Sequence, residues 1–404
     1  MKVPFSPPRM DQKMADAVVD TLFSGWITTG PKTKLLEDNL SLYTGGKATV
    51  CLNSATAGLE LALRWFGVKE GDEVILPAYT YCATANVVLH CGARPVLVDV
   101  SEDFNIDVDQ IKKAITPHTK VIMPVDIAGM PVDYDAIYKL INDPEIKAKF
   151  RADSDEQKKL GRIMVLADAA HSIGATYKGR KSGVLADMSS FSFHAVKNLP
   201  TAEGGAVIIN LPDIFDSAAV QKQLKTKSLH GQNKDALEKT KVGGWRYDIV
   251  EPGYKCNMTD IQAALGLVEL ERYDADMLVK RRQIFDAYTK KLEKYDWAEL
   301  PEYDSEDKKS CYHIYMLRIK GVTEAQRDQI IQYISDEEVA VNVHFQPLPL
   351  LTAYKNYGYK MNDYPVSWDN YSREITLPVF YDISNEQINW VIDALVRGVE
   401  KTLA

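Results

Sequence analysis

Lys197 lies in "SFSFHAVKNLPTAEGGAVIIN" (190–210), where apolar and small residues surround a single amine. It follows the strand-like "SSFSFH" and precedes the Gly-rich "TAEGGA", so its side chain is expected to project from a strand end into a crevice. Such flanks strip water from the ammonium, lower its pKa and leave a nucleophile that condenses with a carbonyl. An aldehyde cofactor would exploit that amine. Asp168 closes the apolar run "RIMVLAD" and is followed by Ala169, Ala170 and His171, which leave room for a flat ligand. A carboxylate there could hold a proton on a heteroaromatic nitrogen. A helix-capping Asp accounts for the same position equally well, and a packed core histidine accounts for His171. In "NSATAGLELALRWFG" (53–67) small residues lead into an amphipathic helix, whose unpaired N–H groups would admit a phosphate. An ordinary N-cap at Asn53 or Ser54 explains that segment taken alone. Asp168, His171 and His194 can be combined into a two-histidine, one-carboxylate metal site. No tight ligand spacing supports it, so no metal is expected.

Those residues need a scaffold. Between 50 and 210, the runs "DEVILPA", "ARPVLVDV", "KVIMPVDIAG", "RIMVLADAAH" and "GAVIIN" alternate with helical patterns and read as buried parallel strands. Parallel neighbours require crossover helices, so an α/β sheet covered on both faces is expected, with functional residues at the strands' carboxyl ends. Asp99, Asp126 and Asp168 all fall near such ends. The charged stretch 141–161 lacks an apolar face and reads as a surface excursion. From Thr259 onward, with Gln262 three residues later, a capping box opens a long helical pattern. The segment 311–404 reads as a strand "CYHIYMLRI", a helix opening at Thr323, a strand "VAVNVHF" and a last helix opening at Ser384. The expected division is a large α/β domain over 1–299 and a small C-terminal α+β domain over 300–404.

Composition narrows the class of function. The chain has 404 residues, 46% of them hydrophobic and 26% charged, enough interior to enclose a cofactor. Its net charge of −8 leaves no electrostatic footprint for nucleic acid. The basic "VKRRQIF" is interleaved with acidic residues and reads as a solvated helix face. Five cysteines without a CxxC pair, mostly in apolar runs, suggest reduced thiols and a cytoplasmic protein. No run of about 18 apolar residues could cross a bilayer, so no membrane partner is expected.

Taken in order, "SGWITTGPKT" (24–33), "NSATAGLELAL" (53–63), "PAYTYCATAN" (77–86), "ADAAHSIGA" (167–175), "SFSFHAVKN" (190–198), "EGGAV" (203–207), "EPGYKCNMTDIQAALG" (251–266) and "VHFQPL" (343–348) cover nearly the whole chain. In motif and spacing the sequence resembles the DegT/DnrJ/EryC1/StrS sugar aminotransferases, which use pyridoxal phosphate on the aspartate aminotransferase-like (type I) fold. The resemblance implies that Lys197 carries pyridoxal phosphate covalently and then serves as acid and base. It implies that Asp168 pairs with the pyridinium nitrogen, that Tyr81 stacks on the ring and that His171 lies near its phenolic oxygen. Thr56, Ala57 and Ser192 would hold the phosphate. One departure falls in "PGYKCNMTD": the family usually has Asn where Lys255 stands and often Arg where Asn257 stands. In relatives this loop reaches the neighbouring subunit's cofactor phosphate, and Lys255 could do so as a point charge.

A subgroup of the family replaces the lysine by histidine and dehydrates sugars at C3, and Lys197 argues against that chemistry. The implied activity is transfer of an amino group from L-glutamate to a keto carbon, C4 by analogy, of a nucleotide-linked deoxysugar. C3 amination or dehydration is the alternative among enzymes, and a pyridoxal-phosphate-binding regulator the alternative without turnover. His344 in "VHFQPL" is read as a substrate contact, with a packed strand histidine as the other reading. A homodimer with shared active sites is implied.

Overall fold

Strands buried along their whole length build the centre of the protein, whose computed structural model describes residues 1–234 and 245–403. In chain order the strands are β1 (Ala48–Leu52), β2 (Glu73–Pro77), β3 (Arg94–Val98), β4 (Thr119–Ile122) and β5 (Met164–Asp168). A small hairpin of β6 (Thr176–Tyr177) and β7 (Arg180–Lys181) precedes β8 (Met188–Ser192) and β9 (Gly205–Ile209). Among the described residues seven of these form one sheet in the order β1-β9-β8-β5-β4-β2-β3. Alternate residues feed opposite cores: Val74 and Leu76 pack on one face with Leu166 and Val207, while Ile75 packs on the other with Val165 and Phe191. Both faces are therefore covered, as continuous apolar strands require.

The chain is α/β with a mostly parallel sheet, and one strand departs from the sequence expectation. β9 runs antiparallel to both β8 and β1. A parallel return needs a long crossover, and residues 193–204 contain no helix that could supply one. The remaining six strands point one way, so the loops after β1, β2, β5 and β8 meet along one edge. Gly205 starts β9 at that edge. A Cβ on it would lie 2.4 Å from the backbone N of Ala55 and 2.4 Å from the carbonyl carbon of Ser54, so only glycine lets this strand pass beneath the start of the helix Ala55–Trp65.

Toward the C-terminus, β10 (Ala298–Glu299), β12 (Tyr315–Ile319) and β13 (Glu374–Leu377) form an antiparallel sheet, and β11 (Lys308–Lys309) extends the β6–β7 hairpin. Its apolar cluster combines Leu317 and Ile375 with Ile330, Leu395, Phe285 from the long helix Leu278–Leu292, and Val3 from the N-terminus. The capping boxes at Thr259 and Thr323 form as expected, and Ser384 accepts from the Gln387 N–H at 3.2 Å. Two local expectations are corrected. "VAVNVHF" (339–345) makes only isolated bridges, Val3 to Val339 and Asn342 to Thr376, because its neighbours on the two sides touch it at different points. The stretch 141–161 folds as two short helices, and Ile146 reaches the core.

Candidate active site

The carboxyl edge of the large sheet holds a cavity of about 440 Å³. Strand ends and the loops after them bring Thr56, Tyr81, Asp168, His171, Ser192, Lys197 and His344 into its wall. Ala57 lies one residue deeper in the helix, outside that wall. Lys255 is exposed elsewhere, on the loop after the undescribed residues, and its ammonium is bonded to the Asn257 side chain.

Lys197 follows β8 in a tight turn, its N–H donating to the His194 carbonyl at 2.8 Å. Burial brings its pKa from 10.5 down to about 8, although Asp168 and Cys311 both favour the charged form. Desolvation outweighs those attractions because an ammonium loses its hydration on entering the cavity. The amine is thereby prepared to react unprotonated.

Asp168 ends β5 and is almost wholly buried. The Thr84 hydroxyl donates to its Oδ2 at 2.8 Å, and the Ala170 N–H donates to Oδ1 at a long 3.3 Å. Burial raises its carboxyl above the ordinary value, against the pull of Thr84, Ala170 and Lys197. A carboxylate so placed gains from a cationic N–H partner. No local pattern singles out Thr84, which is held in turn by a 2.8 Å bond to Thr80.

At the other strand ends the wall is suited to an anion and a flat ring. Ser54 caps the helix Ala55–Trp65 by accepting from the Ala57 N–H at 3.1 Å, so Ala57 spends its amide inside the helix start. The N–H groups of Ala55 and Thr56 precede it in the first turn, where helix amides lack intrahelical partners, close to the buried Ser192 hydroxyl in the same wall. Tyr81 is 60% exposed, its ring 5.9 Å from that of Phe345. His171 is buried and its Nδ1 has no hydrogen-bond partner. Burial, then the charge of Lys197, pushes its pKa well below 6.5, so it is neutral.

His313, which sequence reading passed over inside "CYHIYMLRI", also reaches the wall. The ladder of β12 begins only at Tyr315, and residues 311–313 instead run beside Ala128 and Gly129. The His313 ring sits 4.4 Å from that of His171, and its Nδ1 pairs with Asn198 Oδ1 at 2.8 Å. Only long-range contact brings it there, and no local signal could have found it. Among the described residues, no group of three or more His, Cys, Asp or Glu side chains is placed to hold a metal.

A desolvated lysine, a buried carboxylate seeking a cationic partner, an orphaned imidazole nitrogen and a helix start open to an anion together match the functional groups of pyridoxal phosphate. The fold and this donor set define a pyridoxal-phosphate-dependent transferase of type I. A profile of the DegT/DnrJ/EryC1/StrS aminotransferase family matches residues 8–396, and the chain belongs to that family. Solved structures include a putative sugar aminotransferase, Spr1654 from Streptococcus pneumoniae, in its PLP-form, with 46% identity, a TM-score of 0.95 and 100% of both chains covered. PseC from Helicobacter pylori, an aminotransferase involved in the biosynthesis of pseudoaminic acid, superposes with a TM-score of 0.86 at 26% identity, covering 99% of this chain and 100% of that one. The spore coat polysaccharide biosynthesis protein SpsC of Bacillus subtilis is 35% identical over 407 residues, covering 99% of this chain and 97% of its own.

Proposed function

We propose that this sugar aminotransferase takes an amino group from L-glutamate and delivers it to a keto carbon, C4, of a nucleotide-linked deoxysugar. The observation that carries the reading is the Lys197 amine, desolvated to a pKa of about 8 in the same cavity as the buried Asp168 carboxylate. When bound, pyridoxal phosphate supplies an aldehyde that takes up amino groups and a ring that draws electrons from the carbon losing its proton. Lys197 holds the cofactor at its amine and, once released, moves a proton at the substrate carbon. Asp168, oriented by Thr84, holds a proton at the ring nitrogen. His171 offers its free Nδ1 to the phenolic oxygen, and Tyr81 covers the ring face. Thr56, Ser192 and the helix start bind the phosphate, with Ala57 acting through its cap rather than by direct contact. His344 meets the sugar.

A dimer completes this arrangement. No arginine and no lysine other than Lys197 lines the described cavity, yet a phosphate and a dicarboxylate donor both need countercharge. Lys255, exposed on the loop 251–257, is the cation proposed to reach a second copy's cavity across a two-fold axis. No described helix is long and apolar enough to cross a membrane, and all five cysteines are free thiols. Both observations support a cytoplasmic setting. The proposed large domain over 1–299 supplies the phosphate and ring contacts, and the small one over 300–404 supplies His344.

The purified protein is expected to be yellow, to become covalently labelled at Lys197 on borohydride reduction, and to bleach when L-glutamate is added. A panel of keto nucleotide sugars should then restore the colour, most efficiently with a 4-keto sugar. Turnover that survives Lys197→Ala would end the reading. Colour restored by 3-keto but not 4-keto sugars would move the aminated carbon to C3.

A further inference from the structure

Bonded to His344, but outside the cavity wall, lies a buried carboxyl that the proposed reaction does not use. Glu374 and Thr376, on alternate positions of β13, are both wholly buried. The Glu374 Oε2 accepts from the His344 backbone N–H at 3.0 Å, and Thr376 Oγ1 bonds to Glu374 Oε1 at 2.5 Å. The same hydroxyl oxygen lies 3.0 Å from His344 Nδ1. Phe5 stacks on the imidazole with centroids 5.6 Å apart, and the Tyr79 hydroxyl holds the backbone by donating to the His344 carbonyl at 2.7 Å. His344 is neutral, because burial and the charge of Lys197 bring its pKa down to about 4. One ring nitrogen therefore carries hydrogen and the other does not.

Thr376 has a single hydroxyl hydrogen to share between two neighbours. With an ionised Glu374, that hydrogen goes to the carboxylate, the oxygen accepts from His344 Nδ1–H, and Nε2 is left as an acceptor. With a protonated Glu374, the carboxyl donates to Thr376, which donates to Nδ1, and the hydrogen sits on Nε2. We propose that Glu374, acting through Thr376, is a positioning residue that decides whether His344 offers its substrate a hydrogen-bond donor or an acceptor. The inference rests on the reading of His344 as a substrate contact. No proton is lost or gained along the chain beyond the one Glu374 exchanges with solvent.

Burial pushes the Glu374 pKa up to about 8, against the Thr376 hydroxyl, the His344 N–H and the positive charges of Arg327 and Arg318. Arg327 approaches from the helix Glu324–Asp336, its guanidinium donating to the Glu374 carbonyl at 2.9 Å, and Arg318 sits opposite on β12. Tyr79, from the loop after β2, faces the carboxyl with its own ionisation pushed well above 10 by burial. It stays neutral. Among the groups bonded into this chain Glu374 is thus the one that changes charge between about pH 7 and about pH 9, with His344 in its donor form on the acidic side; Lys197, whose pKa of about 8 falls in the same interval, acts on His344 through its charge and not through Thr376, so the Glu374→Gln comparison separates the two.

The test uses the holoenzyme. In protein labelled with 15N-histidine, with the His344 signal assigned by its loss in His344→Asn, the nitrogen shifts should pass from the Nε2–H to the Nδ1–H tautomer as pH rises through about 8. Glu374→Gln, whose amide donates in place of the carboxyl, should hold the Nε2–H form throughout. The acceptor-sugar KM should change about threefold to tenfold across the same interval in the parent, as expected for one hydrogen bond gained or lost, and stay flat in Glu374→Gln and Thr376→Val. A His344 tautomer that does not change in the parent, or changes identically in Glu374→Gln, overturns the relay. An acceptor KM indifferent to His344→Asn overturns the substrate contact beneath it, an outcome the tautomer measurement keeps separate.

Discussion

Replacing Lys197 by methionine in the cofactor-free protein should stabilise it near neutral pH, because the wild-type chain must bury an ammonium there. The fall in pKa from 10.5 to about 8 corresponds to at most about 3 kcal/mol of opposed folding free energy. The sign follows from proton binding. Below about pH 8 both folded and unfolded chains hold the proton, and the folded one bears the full desolvation cost. Between about 8 and 10.5 only the unfolded chain still binds it, so wild-type stability rises relative to the variant as pH increases, and above 10.5 the cost is gone. Urea unfolding of both proteins across this range gives the difference directly, cancelling the tyrosines and cysteines that titrate in both. The same shift leaves about a tenth of the amine unprotonated at pH 7, where an ordinary lysine would have well under a thousandth. A variant that is less stable than wild type at neutral pH, or a stability difference that does not change with pH, would refute the desolvated amine on which the catalytic reading depends.

Two further outcomes follow from the geometry. Gly205→Ala forces a methyl within 2.4 Å of backbone atoms of Ser54 and Ala55, so it should cost about 1–3 kcal/mol of stability and displace the helix start; pyridoxal phosphate titration should show weaker binding, and unchanged affinity would remove that helix from the phosphate site. Lys255→Ala should weaken cofactor binding about tenfold to a hundredfold, as for a charged hydrogen bond. Mixed with Lys197→Ala under conditions that allow subunit exchange, and at a cofactor concentration that leaves Lys255→Ala alone unfilled, the proposed dimer should recover about a quarter of wild-type turnover, because half the dimers would then carry one complete site. No recovery on mixing would place Lys255 outside any partner's cavity.

The amino-acid sequence by itself determined what depends on neighbours within a few residues. Alternating apolar runs set the strands, Thr259, Thr323 and Ser384 with their Gln partners set three helix starts, and the family's motifs marked Lys197, Asp168 and the helix at Ser54 as one site. Such patterns are legible because periodicity and capping act over one or two turns of chain. Tertiary structure decided the rest. The direction of β9, the arrival of His313 against His171 at 4.4 Å, the bond from Thr84 to Asp168 and the buried Glu374 beneath His344 all join residues far apart in sequence. Their positions follow from strand order and from which cores the loops must cover, and no local pattern carries that information. The sequence thus named the reacting groups, while packing set the water-poor surroundings that tune their protons.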